Sequence, residues 1–228
     1  MIYAILLLLI LGTVYAPQLW VRYVLKHYHQ ASPHLPGTGG ELAKHLLHRF
    51  GLESVRLEVC DADQDHYDPE SNPVRLSPRY MYGKSLTAVA VAAHEVGHAI
   101  QFNRQEPVSR LRLKYLGHAL AIKKIGTAIL LLSPLIFAAL RIPQSFAITI
   151  LIGLTIMLTS VVMYAAILPE EWDASFNKAL PILTQGEYIS AEETHAVKRI
   201  LKACALTYVA AALADMLSLW RWLLILRR

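Results

Sequence analysis

The run Ala92-Ala93-His94-Glu95-Val96-Gly97-His98-Ala99-Ile100 sets three ionisable side chains in a stretch otherwise built from Ala, Val, Gly and Ile. With Ser85 as an N-cap, the apolar residues around it predict a helix from Leu86 to Asn103. Positions four apart in a helix stand about 40° from each other, so His94 and His98 project from one face, one turn apart. Two imidazoles at that spacing can bind a single zinc ion. Glu95 lies beside them, where it reaches a metal-held water rather than the metal, the arrangement of an HExxH hydrolytic site. Such groups are costly inside an apolar helix unless they have a partner. A purely structural site has no use for a base next to its ligands. A zinc-dependent hydrolase is therefore the leading expectation, and a zinc-binding membrane scaffold or chaperone-like adaptor is the alternative.

The rest of the chain says where that helix sits. Of 228 residues, 55% are hydrophobic and 17% charged, against roughly 45–50% and 25% in soluble domains. The excess is concentrated. Met1 to Val21 carries no charge, and neither does Ile125 to Leu140; after Arg141, Ile142 to Leu168 is again uncharged. About 20 apolar residues span a bilayer as a helix, so the chain is expected to be an integral membrane protein. The first run reads as a retained anchor rather than a secretory signal, because no basic residue precedes it and Pro17 follows the small residues Val14 and Ala16. The net charge of +5 is no nucleic-acid signature. Between Arg22 and Lys124, 14 Lys and Arg are scattered among 10 Asp and Glu, which fits the positive-inside bias of a cytoplasmic loop. Cys60 and Cys204 form no CxxC pair and read as buried thiols.

Five segments follow: an anchor over 1–21; a cytoplasm-facing segment over 22–124 holding the HExxH helix; a transmembrane hairpin over 125–168, with Pro134 inside its first helix; a polar segment over 169–202; and an apolar run over 203–228. That last run contains Asp215 and Arg221, and its residues leave open whether it spans the membrane or lies against the bundle. Within the second segment, Ser32 to Gly40 reads as a linker, and Glu41 to Phe50 as a helix ended by Gly51. Val55, Leu57 and Val59 alternate with Arg56 and Glu58 as in a half-buried strand. The stretches 65–68 and 74–77 read as a strand pair joined by a turn, with Pro69 and Pro73 at edge or terminal positions. Ser190-Ala191-Glu192-Glu193 looks like a helix start. The expected fold is mainly α, with three to four transmembrane helices around a zincin-like core of the HExxH helix and a small β-hairpin or sheet.

A catalytic zinc needs a third protein ligand and an open position. The segment Leu168-Pro169-Glu170-Glu171-Trp172-Asp173-Ala174-Ser175 begins where the hairpin ends, so it emerges on the same membrane face as the HExxH helix. It offers Glu170, Glu171 and Asp173. His66 is a further candidate, although it precedes HExxH in the chain.

These stretches carry a resemblance. Together with Asp65-His66-Tyr67-Asp68-Pro69 and the run from Ser85 through Gln101, Leu168 to Ser175 resembles the YugP-like neutral zinc metallopeptidases of bacterial membranes, over most of the chain. The chain is also similar to HtpX-type membrane proteases, whose HExxH is followed across a membrane hairpin by ExxAD. That pattern implies Glu171 as the third ligand, with Ala174 at its Ala and Ser175 where the pattern has Asp; Asp173 then becomes a candidate for orienting a ligand imidazole. His66 and Tyr67 are expected either at the cleft wall, as donors to an oxyanion, or in a hydrogen-bonded hairpin. The implied protein is a zinc metalloendopeptidase acting on membrane-associated or unfolded polypeptides, with Glu95 as general base. It would lie in the cytoplasmic membrane with its site facing the cytoplasm. Its partners would be polypeptide substrates, the bilayer and a membrane-protein adaptor, with no nucleic acid. An external N-terminus leaves only Arg141 in the outer turn, although Arg227 and Arg228 fit this poorly if the last run spans.

Overall fold

The computed structural model describes the backbone of residues 2–226 and the side chains of residues 12, 15–142 and 144–213. Asp215 and Arg221 lie outside the described side chains, and Arg227 and Arg228 outside the described chain. The protein is mainly helical with one small sheet, and its chain forms two compact units. One comprises Trp20–Arg110 and Pro169–Thr207; the other comprises Met1–Leu19, Leu111–Leu168 and Tyr208–Arg228.

The first unit is organised around its most buried helix. After α1 (Ile2–His27), α2 runs from Gly39 to Arg49. Thr38 caps it reciprocally: Glu41 N–H donates to Thr38 Oγ1 at 3.2 Å, and Thr38 N–H to Glu41 Oε2 at 2.7 Å. The helix therefore takes in Gly39 and Gly40, two residues expected to belong to the linker. Gly51, at φ +69°, ends it as expected. Thr38→Ala removes the acceptor for an otherwise orphaned N–H. It should cost about 1 kcal/mol, read as a lowered thermal midpoint in detergent; an unchanged midpoint would count against the cap.

Three strands follow: β1 (Arg56–Val59), β2 (His66–Tyr67) and β3 (Pro73–Leu76). Their order is β1-β3-β2, with β1 parallel and β2 antiparallel to β3. The expected pair joined by a turn is β2–β3. Asp68 builds the turn, its Oδ1 accepting from Glu70 N–H at 2.9 Å, and Asn72 adopts φ +63° within it. Pro73 opens β3, a terminal position in what is nonetheless the central strand. In β1 the expected alternation is not realised. Glu58 is half-buried and Val59 is 49% exposed. The cause is a cross-strand pair: Arg75 Nε donates to Glu58 Oε2 at 3.1 Å from the facing register position.

After the single turn α3 (Pro78–Met81), α4 spans Leu86–Asn103 with the expected cap, Ala88 N–H donating to Ser85 Oγ at 3.2 Å. Every residue of α4 from Thr87 to Gln101 is buried, as an all-round apolar helix requires.

The long apolar helices α5 (Ser109–Leu140) and α6 (Pro143–Trp172) supply Leu111–Leu168 of the other unit, and the last residues of α6 belong to the first. The helical run of α6 continues through a π-helical stretch, Asp173–Ala179, and α7 (Leu180–Gln185). Among the described residues, Ser109–Leu140 and Gln144–Gln185 are long and apolar enough to cross a membrane. Pro134 lies inside α5 as expected, but α5 starts at Ser109 rather than near 125. Leu130 and Met157 form a small buried cluster between α5 and α6. Gly126 stands there: a Cβ on it would meet Met157 Cγ at 2.9 Å, the close approach that small residues permit between membrane helices. Finally, Ser190 and Glu193 cap one another, Glu193 N–H donating to Ser190 Oγ at 3.2 Å, before α8 (Thr194–Leu226). The first turns of α8 belong to the Trp20–Arg110 unit, where Val197, Ile200 and Leu201 are fully buried.

Candidate metal centre

Three atoms from two elements meet in the first unit. His94 Nε2 and His98 Nε2 lie 3.2 Å apart, and Glu171 Oε2 is 3.3 Å from each. All three residues are buried. The helix period brings the imidazoles together. The carboxylate arrives because the π-helical stretch packs on α4, and that contact requires Gly97. A Cβ at Gly97 would stand 2.8 Å from Ala174 O.

The hydrogen bonds behind the rings decide what faces the triangle. Ser175 Oγ donates to Leu201 O at 3.1 Å, so toward His94 Nδ1, 3.0 Å away, it is left to accept. Behind His98 Nδ1 stand Glu170 Oε1 at 2.9 Å and Gln101 Oε1 at 3.0 Å, both acceptors. These surroundings suit a proton on Nδ1 of each ring, the tautomer that turns a lone pair on Nε2 toward the other ring and toward a carboxylate oxygen. Three atoms able to present lone pairs converge, the donor chemistry of a cation site. The fit to zinc is also metric. Bonds of 2.0–2.2 Å in a tetrahedral shell put neighbouring ligand atoms about 3.3–3.6 Å apart, and the 3.2–3.3 Å found here lies at the short end of that range.

Glu95 sits in the same helix turn, 6% exposed. Its Oε2 accepts from the backbone N–H of Tyr67 at 2.8 Å, which fixes the carboxylate and leaves its other oxygen. The side chains of His66 and Tyr67 are engaged elsewhere. His66 Nδ1 donates to Gln64 O at 2.6 Å, and its Nε2 lies 3.3 Å from Arg75 Nη1. The Tyr67 hydroxyl donates to Asn72 Oδ1 at 2.7 Å and accepts from Asn103 Nδ2 at 3.2 Å. Of the two readings weighed for this pair, the hydrogen-bonded hairpin matches these contacts, and what β2 brings to the site is a main-chain amide.

Of the remaining third-ligand candidates, Glu170 is fully buried rather than solvated and faces the back of His98. Asp173 does not bond a ring; its Oδ2 accepts from Gln101 Nε2 at 2.8 Å. Ser175 contacts His94 from the position where the related pattern has Asp. Gln101 escaped the sequence reading, yet its spacing is a signal, since it follows His98 by three positions and so shares its helix face. Cys204 is buried as expected, but Cys60 is half-buried. Burial, with the carboxylates of Asp65 and Glu95 adding to it, pushes the Cys60 thiol up to about 11, so it stays protonated at neutral pH.

A buried two-histidine, one-carboxylate triangle with a glutamate beside it is the donor set of a zinc hydrolase centre. Residues 3–227 match the family described as "Putative neutral zinc metallopeptidase", and the chain belongs to that family. It is 35% identical over 228 residues to the "Putative membrane protease YugP" of Bacillus subtilis (strain 168), covering 99% of this chain and 96% of that protein. No solved structure matches the chain.

Proposed function

We propose that this protein is a membrane-embedded, zinc-dependent metalloendopeptidase. The observation that carries the reading is the triangle of lone pairs from His94, His98 and Glu171, with the Glu95 carboxylate held beside it. His94 and His98 would hold the metal through Nε2, and Glu171 through one oxygen. Bound there, zinc supplies Lewis acidity that polarises a peptide carbonyl and brings the pKa of a water toward ~7. Glu95, fixed by the Tyr67 amide, accepts the proton of the attacking water and returns it to the leaving amine. Ser175, Glu170 and Gln101 keep the ring protons on the far side. An oxyanion role for His66 or Tyr67 would require their present bonds to open.

Substrates are polypeptides, membrane-associated or unfolded, held in extended form by strand addition. The candidate strands for that role are 55–59 and 74–77. β3 is paired on both sides and has no free edge. The free edge of β1 lies two strands, about 9.6 Å, beyond the strand that touches Glu95. The outer edge of β2 is nearest Glu95, but its Tyr67 N–H is already bonded to Glu95 Oε2, so strand addition falls to the free edge of β1. In this reading α4 and the sheet form a zincin-like core, and α5 and α6, with α1 and α8 as further candidates, place the protein in the cytoplasmic membrane with the site toward the cytoplasm. The five-segment division belongs to this proposal, with the first hairpin helix starting at Ser109, and an adaptor membrane protein is a candidate partner. The rival scaffold would hold zinc in a closed set of four protein ligands; Glu170 faces His98 Nδ1 instead.

The test is hydrolysis of an unfolded protein such as casein by detergent-purified full-length chain, with bound metal quantified. One zinc per chain, cleavage lost to a chelator and cleavage restored by added zinc are expected. Stoichiometric zinc without cleavage of any unfolded or membrane substrate would favour the scaffold. Glu171→Ala should abolish stoichiometric zinc.

A further inference from the structure

We propose that Gln101 is a positioning residue, a clamp that locks the Glu171-bearing segment onto the HExxH helix, and that Asp173 sets the orientation of its amide. This rests on the zinc reading above.

A carboxamide has an accepting face and a donating face, and its surroundings dictate which points where. Gln101 Nε2 lies 2.8 Å from Asp173 Oδ2 and 3.1 Å from the main-chain oxygen of Glu170. Both are acceptors, so both amide hydrogens point to the segment that carries Glu171. The carbonyl oxygen is thereby turned to His98 Nδ1, 3.0 Å away. One side chain thus joins a histidine of the triangle to the main chain next to the carboxylate of the triangle. Gln101 is completely buried, so its polar atoms are cut off from bulk solvent.

Orientation carries chemical consequence here. Were the amide turned over, its hydrogens would face Nδ1 and oppose the ring proton that Glu170 Oε1, 2.9 Å away, draws to that side. Asp173 prevents this by accepting one amide hydrogen, and it is itself held in place. Asn177 Nδ2 donates to its other oxygen at 2.7 Å, and Lys178 Nζ stands 3.1 Å from Oδ2 while also pairing with Glu106 at 2.8 Å. A connected set of polar groups therefore runs from Glu106 to His98. Partners that orient a metal ligand typically contribute 10–100-fold in metal affinity.

The experiment measures zinc affinity of the detergent-purified full-length chain by competition with a chromophoric chelator, and the visible spectrum of the cobalt-loaded protein. Gln101→Leu is expected to weaken zinc about 10–100-fold and to change the cobalt spectrum. Gln101→Glu has nearly the same size but sets a carboxylate against Asp173, and it should weaken zinc as well, which separates lost donation from lost packing. Asp173→Ala should weaken zinc in the wild-type background and do nothing further when Gln101 is already Leu. Wild-type affinity and spectrum in both Gln101 variants would overturn the clamp, as would an Asp173 effect of equal size in both backgrounds. Failure of the wild type itself to bind zinc would instead overturn the zinc reading on which the clamp rests.

Discussion

Glu95→Gln is expected to lower hydrolysis roughly 10²–10⁴-fold, the range spanned by a positioned general base, while one zinc per chain stays bound. The substitution keeps shape and volume, and the amide oxygen of glutamine can still accept the Tyr67 N–H that Glu95 Oε2 accepts at 2.8 Å. The triangle of His94, His98 and Glu171 is untouched. What disappears is the one group in that position able to take a proton from water and return it to an amine. The check is paired: turnover of an unfolded substrate and metal content, wild type beside variant. Retained turnover would show that another group is the base, and loss of zinc would show that Glu95 serves the metal rather than the water.

Gly97→Ala should be nearly as damaging, although it adds only a methyl group and removes no polar contact. The new Cβ would stand 2.8 Å from Ala174 O and 3.4 Å from Ala174 C and Cα. These are backbone atoms, so no side-chain rotation relieves the contact, and the π-helical stretch has to move off α4. Glu171 and Ser175 move with it, and a triangle whose edges match a tetrahedral shell tolerates little displacement. A loss of about 1–3 kcal/mol from overpacking is expected, with zinc affinity falling at least about 10-fold. Gly117 is the control: nothing lies within 4 Å of its would-be Cβ, so Gly117→Ala should be neutral or stabilise α5 by up to about 1 kcal/mol. Equal zinc affinity in the Gly97 and Gly117 variants would refute the account of how Glu171 reaches the site.

Much of this centre was legible in the chain because its signals are local. The four-residue spacing of His94 and His98, the Ser85 cap, the Gly51 stop and the Ser190–Glu193 pair all act within one or two turns, and each stands where the residues placed it. The choice of Glu171 came from a resemblance, since spacing alone cannot choose between neighbouring carboxylates. What escaped depends on distant partners. Val59 looked inward-facing, but Arg75, far along the chain, draws Glu58 onto the sheet instead. The strand order could not be read either, because the parallel partner of β1 lies beyond β2. The start of α5 was hidden by Lys114, Lys123 and Lys124, which read as a polar segment although charged side chains do not interrupt a helix backbone. The π-helical stretch leaves no mark in composition, and neither does the direction in which the His66 ring or the Tyr67 hydroxyl points.

Glu171 follows His98 by 73 positions, and α5 and most of α6 fill that interval. A growing polypeptide therefore emerges from the ribosome with both histidines and Glu95 in place but without the oxygen that completes the triangle. Assembly of the centre is a late event in biogenesis, delayed until both long apolar helices have been synthesised. A chain arrested or cut short within that pair holds His94, His98 and Glu95 yet lacks Glu171, so incomplete products carry no finished triangle into the cell.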